Sequence, residues 1–156
     1  FKNRGIPQPY EPVGIWLIDQ WKQIGLNVKQ EIVEASACYS VLKRGDFDVA
    51  MDFQCGFIVE PDLDIARFLA ASDANYGKHK DKVMDELYLQ QARATSPEER
   101  RKILRQFEKR LLDEEVHSIY TLQWHRIVPH NAKVKGWTVT PSHYLNQQLD
   151  TVWLAQ

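Results

Sequence analysis

The stretch that decides the fold is Gly45 to Asp62, GDFDVAMDFQCGFIVEPD. Its Gly45-Asp46 pair is predicted to turn the chain into a strand from Phe47 to Phe53, in which apolar and acidic residues alternate. The strand runs into a polar and aromatic loop from Gln54 to Glu60. Because α/β proteins bind ligands at the carboxyl ends of their strands, this loop is the first candidate for a binding site.

The residues before this stretch predict two helix–strand pairs. A helix is expected from Pro12 to Gly25, and Leu26 to Val33 follows as a strand with one face partly in water. Ser36 is predicted to cap a second helix that ends at Gly45. Helix followed by strand, twice in succession, predicts an α/β layer with a parallel pair of strands. Residues 1–10, which hold two prolines and a glycine, are interpreted as a tail.

The residues after the loop predict helices first and short strands later. The best helix start is Ser96-Pro97-Glu98-Glu99, which has the pattern of a capping box. The other predicted helices cover Pro61 to Ala70 and Lys80 to Ala94, and the predicted strands cover Ile119 to Val128, Val134 to Val139 and Thr151 to Leu154.

Composition narrows the class of protein. The 156 residues fit one domain, and a hydrophobic fraction of 44% is enough for a core. The net charge of -1 gives no bulk attraction to nucleic acid or to anionic membranes. The apolar runs fall far short of the roughly 20 residues that span a bilayer. The chain begins at Phe1 without a signal-peptide pattern, so an internal fragment and a mature amino terminus are both open.

The histidines and cysteines do not form a recognisable catalytic or metal motif. His117, His125 and His130 fit neither HExxH nor zinc-finger spacing, and neither a metal nor a cofactor is predicted. Cys38 and Cys55 lack CxxC spacing, so one bridge and two buried thiols are both open. Cys55 has no adjacent histidine to activate it, which favours an ordinary loop residue over a nucleophile.

Two groups of carboxylates have plainer interpretations than catalysis. Asp46, Asp48 and Asp52 lie at even offsets on one face of the predicted strand and are interpreted as its wet edge. Glu60, Asp62 and Asp64 flank Pro61 and are interpreted as a charged helix start. The chain contains no GxGxxG, P-loop or GxSxG motif.

The order and spacing of several short pieces resemble one known family. The chain resembles the carboxyl-terminal part of the extracytoplasmic solute-binding proteins of ABC transporters, in the peptide, dipeptide and nickel-binding group called family 5. The matching pieces are QIGLNV (residues 23–28), GDFD (45–48), EPD (60–62), NY (75–76), VMDEL (83–87), the helix from Arg100 to Leu111 that starts RRKIL, VKGW (134–137) and VWL (152–154).

This resemblance implies a transport receptor and no enzyme. The implied fold is α/β, the second lobe of a two-lobed periplasmic-binding-protein-like fold, with a mixed sheet flanked by helices. Residues 1–11 would be a linker, 12–130 the second lobe and 131–156 a segment returning to the first lobe. The implied partners are a peptide-like or other small solute and the membrane permease subunits. The implied location of the receptor is the periplasm, or a membrane anchor outside the cytoplasm. Self-association is expected only as an effect of truncation.

The resemblance also implies where the solute binds. In peptide-binding relatives an Asp four residues before the loop proline pairs with the peptide's amino terminus, and a Trp often stands three residues before that Asp. Phe57 and Gln54 occupy these two positions here. We therefore expect a cleft wall of Gln54, Cys55, Gly56 and Phe57 beside Asp52, and a solute without a free α-amine: a blocked peptide, an opine-like compound or a sugar. Asp52 or Glu60 is the available substitute for the missing acid.

Two alternatives stay open at this point. Some relatives handle nickel, so a metal-binding receptor would use His79, His125 or His143. The other alternative is an enzyme in which Cys55 acts with a histidine such as His125.

Overall fold

The computed structural model describes residues 1–54, 58–123, 125, 127–140 and 148–156. Contacts divide the chain into two compact units. Unit 1 comprises Phe1–Gln54 and Arg67–Asp81, and unit 2 comprises Cys55–Ala66 and Lys82–Gln156. The helices and strands are β1 (Lys2–Arg4), α1 (Tyr10–Gln23), β2 (Glu31–Val33), α2 (Ala35–Arg44), α3 (Pro61–Ile65), α4 (Lys82–Arg93), α5 (Pro97–Lys109), β3 (Val134–Lys135) and β4 (Trp153–Leu154). None of the described helices has the length and apolar character needed to cross a membrane.

Strand β1 is the centre of unit 1. It pairs in parallel with β2, with Lys2 opposite Glu31 and Arg4 opposite Val33. Lys2 also forms a parallel bridge with Ala50, so β1 lies between β2 and the segment around Ala50. Parallel pairing was expected from the sequence, but the two strands that were expected to pair are separated by β1. The segment that was interpreted as a tail therefore contains a strand.

Both strands of unit 1 that were predicted from sequence are shorter in the structure. The predicted strand from Leu26 to Val33 is reduced to Glu31–Val33. The predicted strand from Phe47 to Phe53 is reduced to the single bridge at Ala50. The alternating pattern of apolar and polar side chains is longer than the paired segments. Both segments pair with β1, and β1 has only three residues.

Helices α1 and α2 end where the glycines predict. Gly25 follows α1 with φ of 86°, and Gly45 follows α2 with φ of 72°, the left-handed conformation that suits a residue without Cβ. The start of α2 was predicted wrongly. Ser36 lies inside the helix and its hydroxyl donates to the Glu34 carboxylate at 2.7 Å instead of capping a backbone amide.

The core of unit 1 consists of small and medium apolar side chains. Its buried members are Val33, Cys38 and Leu42, and Val41, Phe47, Ala50 and Tyr76 pack against them partly buried. These residues come from β2, α2 and the segments around Ala50 and Tyr76. The core therefore fixes β2 and α2 beside the region where the predicted ligand-binding loop begins.

Unit 2 is built on the helices α4 and α5. Among its described residues, the buried apolar ones are Met84 and Leu87 on α4, Phe107 on α5 and Leu111. The predicted cap of α5 is confirmed, since the Ser96 hydroxyl accepts a hydrogen bond from the Glu99 amide at 3.2 Å. The helix then continues into a π-helical turn over Arg110–Glu114.

The carboxyl-terminal strands are less extensive than the sequence predicts. Strands β3 and β4 form a two-residue antiparallel ladder, with Val134 opposite Leu154. The described residues between Ile119 and Val128 are not in a strand, which corrects the prediction for that segment. Ile119 and Ile127 are 71% and 87% exposed, so their apolar pattern does not reflect burial within this chain. The α/β class is confirmed, whereas the single mixed sheet and the lobe assignment stay predictions.

Candidate functional site

The predicted cleft wall is only partly within the described residues. Asp52 and Gln54 are described, and both follow the bridge at Ala50. Cys55, Gly56 and Phe57 lie outside the described residues, so their part in a binding site stays a prediction. The described geometry therefore concerns the segment that leads into the loop and the residues around it.

Asp52 is paired with an arginine. Its carboxylate accepts a hydrogen bond from Nη2 of Arg67 at 2.5 Å, and both side chains are about three-quarters buried. Arg67 also donates from Nη1 to the carbonyl oxygen of Phe53 at 3.3 Å. Its guanidinium lies 5.7 and 6.0 Å from the ring centres of Phe68 and Tyr76. The acid that was expected beside the ligand is thus already neutralised within unit 1.

A second arginine, Arg4 at the end of β1, is surrounded by aromatic rings. Its guanidinium carbon lies 5.6 Å from the ring centres of both Tyr10 and Tyr39, and 4.8 Å from that of Phe53. Tyr10 and Phe53 themselves meet edge to face at 6.3 Å. We call Tyr10, Tyr39 and Phe53 the aromatic box. Cation–π contacts of this kind hold a guanidinium in place without neutralising its charge.

The polar atoms of Arg4 are not fully satisfied. Its Nε is buried and makes no hydrogen bond. The guanidinium also forms a hydrogen bond with the hydroxyl of Tyr10. This contact lowers the pKa of Tyr10, whereas burial raises it. Burial is the larger effect and raises the pKa of Tyr10, so the phenol is neutral at physiological pH. Arg4 therefore keeps its positive charge beside a neutral ring.

Sequence reasoning did not find the Arg4 site. The site combines residues from four segments of the chain. These are Arg4 of β1, Tyr10 of α1, Tyr39 of α2 and Phe53 of the segment after Ala50. No spacing in the sequence links four such segments, and only parallel pairing through β1 brings them together. The sequence offered one indication of this site. Arg4 is a long, positively charged side chain in a segment that was interpreted as a tail.

The thiol of Cys38 is a core group. Cys38 is free and 6% exposed. Burial raises its pKa, and a buried protonated thiol is a poor nucleophile. Of the two outcomes that the sequence left open, the structure thus shows a buried free thiol at this position. Cys55, the cysteine of the enzyme alternative, lies outside the described residues.

In unit 2, Glu60 acts as the cap of α3. Its carboxylate accepts from the Asp62 amide at 3.3 Å and pairs with Arg100. The hydrogen bond from Arg100 lowers the pKa of Glu60 below its ordinary value. Asp62 accepts from Gln91 and, at 3.3 Å, from the Tyr88 hydroxyl. The interpretation of these acids as a charged helix start is confirmed.

The histidines of the metal alternative are not assembled by the described structure. A ring nitrogen of His79 lies 2.9 Å from the carbonyl oxygen of Phe68, and His143 lies outside the described residues. The described residues contain no group of three or more His, Cys, Asp or Glu side chains placed to hold a metal ion.

Unit 1 also has an open basic cavity away from the predicted loop. Its volume is about 450 Å³, and its lining includes three lysines and one aspartate. The lining residues are Lys43, Ala70, Ser72, Asp73, Asn75, Lys78 and Lys80. None of the predicted site residues contributes to this cavity, and Lys78 is held by a 3.2 Å hydrogen bond to the carbonyl oxygen of Arg44. The cavity is thus a feature separate from the Arg4 site.

Comparison with solved structures shows a likeness in fold. No family model and no curated protein matches the sequence. Among solved structures, the chain is similar to MppA, a periplasmic murein tripeptide-binding protein in its unliganded open form, with a TM-score of 0.67 and 19% identity. The match covers 73% of this chain and 23% of that protein. At this identity the likeness shows a shared fold, and the chain corresponds to only a part of the longer protein.

Proposed function

We propose that this chain is part of the solute-binding component of an ABC importer, which captures a peptide-like or modified small solute outside the cytoplasm and delivers it to membrane permease subunits. The observation that carries the proposal is the likeness in fold to a periplasmic peptide-binding protein over 73% of the chain. The order of sequence pieces that resembles family 5 supports it independently. No chemical step on the solute is part of this function.

The arrangement of strands supports a binding site at the Gln54 loop. β1 runs parallel to β2 and to the segment around Ala50. The carboxyl ends of parallel strands lie at one edge of a sheet, which is where open α/β folds bind ligands. Arg4 ends β1, and Phe53 follows Ala50 on the neighbouring segment. The 4.8 Å contact between them supports a common edge that leads into Gln54 and the residues beyond it.

The carboxylates beside the loop support a solute without a free α-amine. Phe57 stands where peptide-binding relatives carry the acid that pairs with the amine. Asp52 and Glu60 were the available substitutes, and they are bound by Arg67 and Arg100 respectively. Transferring either carboxylate to a ligand amine would break an existing ion pair. We therefore favour a blocked or modified peptide, an opine-like compound or a sugar.

The solute carried by the full-length protein tests this proposal directly. The protein is purified without denaturation and its bound solute is identified by mass. Calorimetry then compares tri- and tetrapeptides with their N-acetylated forms, which differ only in the amine. We expect the acetylated forms to bind at least as tightly as the free peptides. Micromolar binding of ordinary peptides that is lost on acetylation would overturn the proposed solute class while keeping the receptor function.

The nickel alternative predicts a different result in the same preparation. A metal that binds the folded protein raises its melting temperature in proportion to the logarithm of metal concentration. We expect Ni²⁺ to leave the melting temperature unchanged. A saturable increase that is removed by a chelator would favour the metal receptor over the peptide-like solute.

A further inference from the structure

The basic cavity of unit 1 has no part in the proposed function. Its volume of about 450 Å³ lies in the range of small-molecule sites. Lys43, Lys78, Lys80 and Asp73 lie in its lining, so the lining carries a net charge of about two positive units. Among the residues that the structure describes, Asp73 forms no ion pair with any of these lysines. The cavity therefore combines the size of a ligand site with an unbalanced positive charge.

Two of the three ammonium groups are available to a ligand. The side chains of Lys43 and Lys80 form no hydrogen bond or ion pair with other parts of the described chain, and both residues are exposed. They come from different segments, since Lys43 lies in the last turn of α2 and Lys80 precedes α4. Like charges that meet at one cavity repel each other, and an anion bound between them relieves this repulsion.

The third lysine, Lys78, is fixed by its backbone and by its side chain. Its φ of 52° is uncommon for a residue other than glycine, and strained backbone of this kind is concentrated at functional sites. Its Nζ donates to the carbonyl oxygen of Arg44 at 3.2 Å. A Cβ at Gly45 would lie 3.2 Å from its Cε, so the glycine leaves room for this side chain. An ammonium group has three donors, and two of them remain for a ligand.

Asn75 holds the wall of the cavity in place. Its Nδ2 donates to the carbonyl oxygens of Leu69 at 3.2 Å and His79 at 2.7 Å, which ties the two ends of the lining loop to one side chain. Asn75 is 7% exposed, and its Oδ1 has no hydrogen-bond partner in the described part of the chain. Buried acceptors without a partner are rare in native proteins, and a donor from outside the chain is one explanation for them.

The lysines favour a phosphate monoester over a carboxylate. A carboxylate is matched best by the two parallel N–H groups of an arginine, whereas an ammonium group acts as a point charge on a single oxygen. The lining contains three lysines and no arginine among the described residues. A phosphate monoester has three terminal oxygens and about 1.5–2 negative charges at pH 7. It therefore matches both the number of ammonium groups and the net charge of the lining.

The acceptors of the lining favour hydroxyl groups on the rest of the ligand. Asp73 contributes a carboxylate, and Asn75 contributes the carboxamide oxygen that has no partner. A second anionic group on the ligand would be repelled by Asp73, whereas a hydroxyl group can donate to either oxygen. This combination of groups fits a phosphorylated polyol.

We propose that the basic cavity of unit 1 binds a soluble phosphate monoester of a polyol, such as a sugar phosphate. The three lysines hold the phosphate group, and Asp73 and Asn75 accept hydrogen bonds from the hydroxyl groups. The site is separate from the Gln54 loop, so this inference goes beyond the proposed function and does not depend on it.

The first test follows the binding of glycerol 3-phosphate, a simple polyol phosphate, by NMR. The ¹⁵N-labelled chain is titrated at constant ionic strength, and the backbone amides are observed. We expect saturable shifts in residues 72–80, with half-saturation on the order of 1 mM, as a few partly exposed charge contacts give. The amides of α5 are the internal control, because Arg101 and Lys102 of that helix are exposed cations outside the cavity.

Two matched compounds show which group causes the shifts. Glycerol lacks the phosphate and should cause none. Succinate carries two negative charges on carboxylates, and its half-saturation should need at least about a fivefold higher concentration. Equal half-saturation by succinate, or shifts of α5 as large as those of residues 72–80, would overturn the proposal, because any anion near any lysine would then give the same result.

The second test removes two charges from the cavity. In the double variant Lys43→Gln/Lys80→Gln the lining becomes neutral, and we expect the Kd for glycerol 3-phosphate, measured by calorimetry, to rise about tenfold. Lys22→Gln/Lys29→Gln is the matched control, because both lysines are exposed in the same unit and Lys22 lies in the last turn of α1. This control should change the Kd by less than about twofold.

Equal effects of the two double variants would show that only the overall charge matters and would overturn the site. Loss of folding is separated from loss of binding by the melting temperature without ligand. It should be unchanged in Lys43→Gln/Lys80→Gln, because these two side chains form no hydrogen bond or ion pair within the described residues.

The third test concerns the hydroxyl groups of the ligand. Methyl phosphate keeps the phosphate monoester and has no hydroxyl group on its carbon, so glycerol 3-phosphate should bind about threefold or more tightly. Asp73→Ala should strengthen the binding of methyl phosphate, because it removes a negative charge, and should reduce the advantage of glycerol 3-phosphate. Equal affinities for the two compounds in the parent chain would overturn the assignment of a polyol. The receptor function stands in either case, since the cavity shares no residue with the Gln54 loop.

Discussion

Asn3 in unit 1 and Gln91 in unit 2 are both almost fully buried amides, yet their hydrogen bonding differs. Gln91 uses both ends of its amide: it donates to the Asp62 carboxylate, and its oxygen accepts from Arg100 at 2.9 Å. Asn3 donates to the Tyr10 carbonyl at 2.9 Å and to Gln30 at 3.0 Å, but its own oxygen has no partner. A buried side-chain amide is thus hydrogen-bonded at both ends in unit 2 but only at its nitrogen in unit 1.

The difference extends beyond these two residues. The buried side-chain polar atoms without a partner, counted over the described part of the chain, are Oδ1 of Asn3, Nε of Arg4 and Oδ1 of Asn75. All three belong to unit 1. Each costs about 1–3 kcal/mol relative to a satisfied group. The buried side-chain polar atoms described in unit 2 therefore all have partners, whereas unit 1 retains three unsatisfied groups, two of them on β1.

Replacing Gln91 by leucine should have the largest effect on stability. Gln91→Leu keeps the side-chain volume approximately but removes hydrogen bonds to two charged groups, Asp62 and Arg100. We expect the free energy of unfolding, measured by urea denaturation with circular dichroism, to fall by about 2–3 kcal/mol. Gln90→Leu, the same substitution at the exposed neighbouring position of α4, should change it by less than about 0.5 kcal/mol. Equal losses in the two variants would remove the distinction between the units.

Gly14→Ala tests how tightly the Asn3 network is packed in unit 1. A methyl group at Gly14 would collide with the side-chain amides of both Asn3 and Gln30. Overpacking costs about 1–3 kcal/mol, and the better helix propensity of alanine returns about 1 kcal/mol, so a net loss of about 1 kcal/mol is expected in the same assay.

Gly77→Ala is the control for that substitution. A methyl group there meets only a ring nitrogen of His79, at 3.4 Å, so its effect should be close to zero. A gain in stability from Gly14→Ala would contradict the packing argument, because it would show that the amides of Asn3 and Gln30 can move apart freely.

The ion pair of Glu60 gives unit 2 a pH dependence in acid. The hydrogen bond from Arg100 lowers the pKa of folded Glu60 from 4.5. A lowered folded pKa means that the stabilisation is complete above the unfolded pKa and is lost as pH falls through the folded value. Glu60→Gln should therefore destabilise most near pH 7, and its difference from the parent chain should shrink below pH 4.5.

Urea midpoints at a series of pH values measure this difference. Glu98→Gln is the matched control, because Glu98 is an exposed glutamate in the first turn of α5. Its difference from the parent at pH 7 should be smaller than that of Glu60→Gln. A Glu60→Gln difference that stays constant down to pH 3 would show that the Arg100 pair contributes nothing to folding.

The distance along the chain over which a signal acts explains what the sequence could predict. The ends of α1 and α2 at Gly25 and Gly45, and the cap of α5 at Ser96, were predicted because those signals act within a few residues of the chain. Strand β1 was missed because its stability comes from pairing with residues about 30 and 50 positions away, and its central residue is the polar Asn3.

The same reasoning applies to the candidate site. Asp52, near the end of a predicted strand, and Gln54, just after it, were predicted from local pattern and from the family resemblance, and their part in a binding site stays a prediction. The pairing of Asp52 with Arg67 and the box around Arg4 depend on segments that only the tertiary fold brings together. Local sequence therefore predicts the strand and the loop that follows it but misses the ion pair and the ring contacts beside them.

Arg4→Met should have the smallest effect on stability. Methionine keeps an apolar stem among the rings and loses three cation–π contacts worth about 0.5–1 kcal/mol each, but it removes a buried donor whose lack of a partner costs about 1–3 kcal/mol. Because these two contributions are similar in size and opposite in sign, the net change in unfolding free energy should be close to zero. Arg67→Met, which leaves the three-quarters-buried carboxylate of Asp52 without its partner, should instead lose about 1 kcal/mol or more. A loss in Arg4→Met as large as that in Arg67→Met would contradict this balance, because it would show that the contacts of Arg4 with the rings outweigh the cost of its unsatisfied Nε.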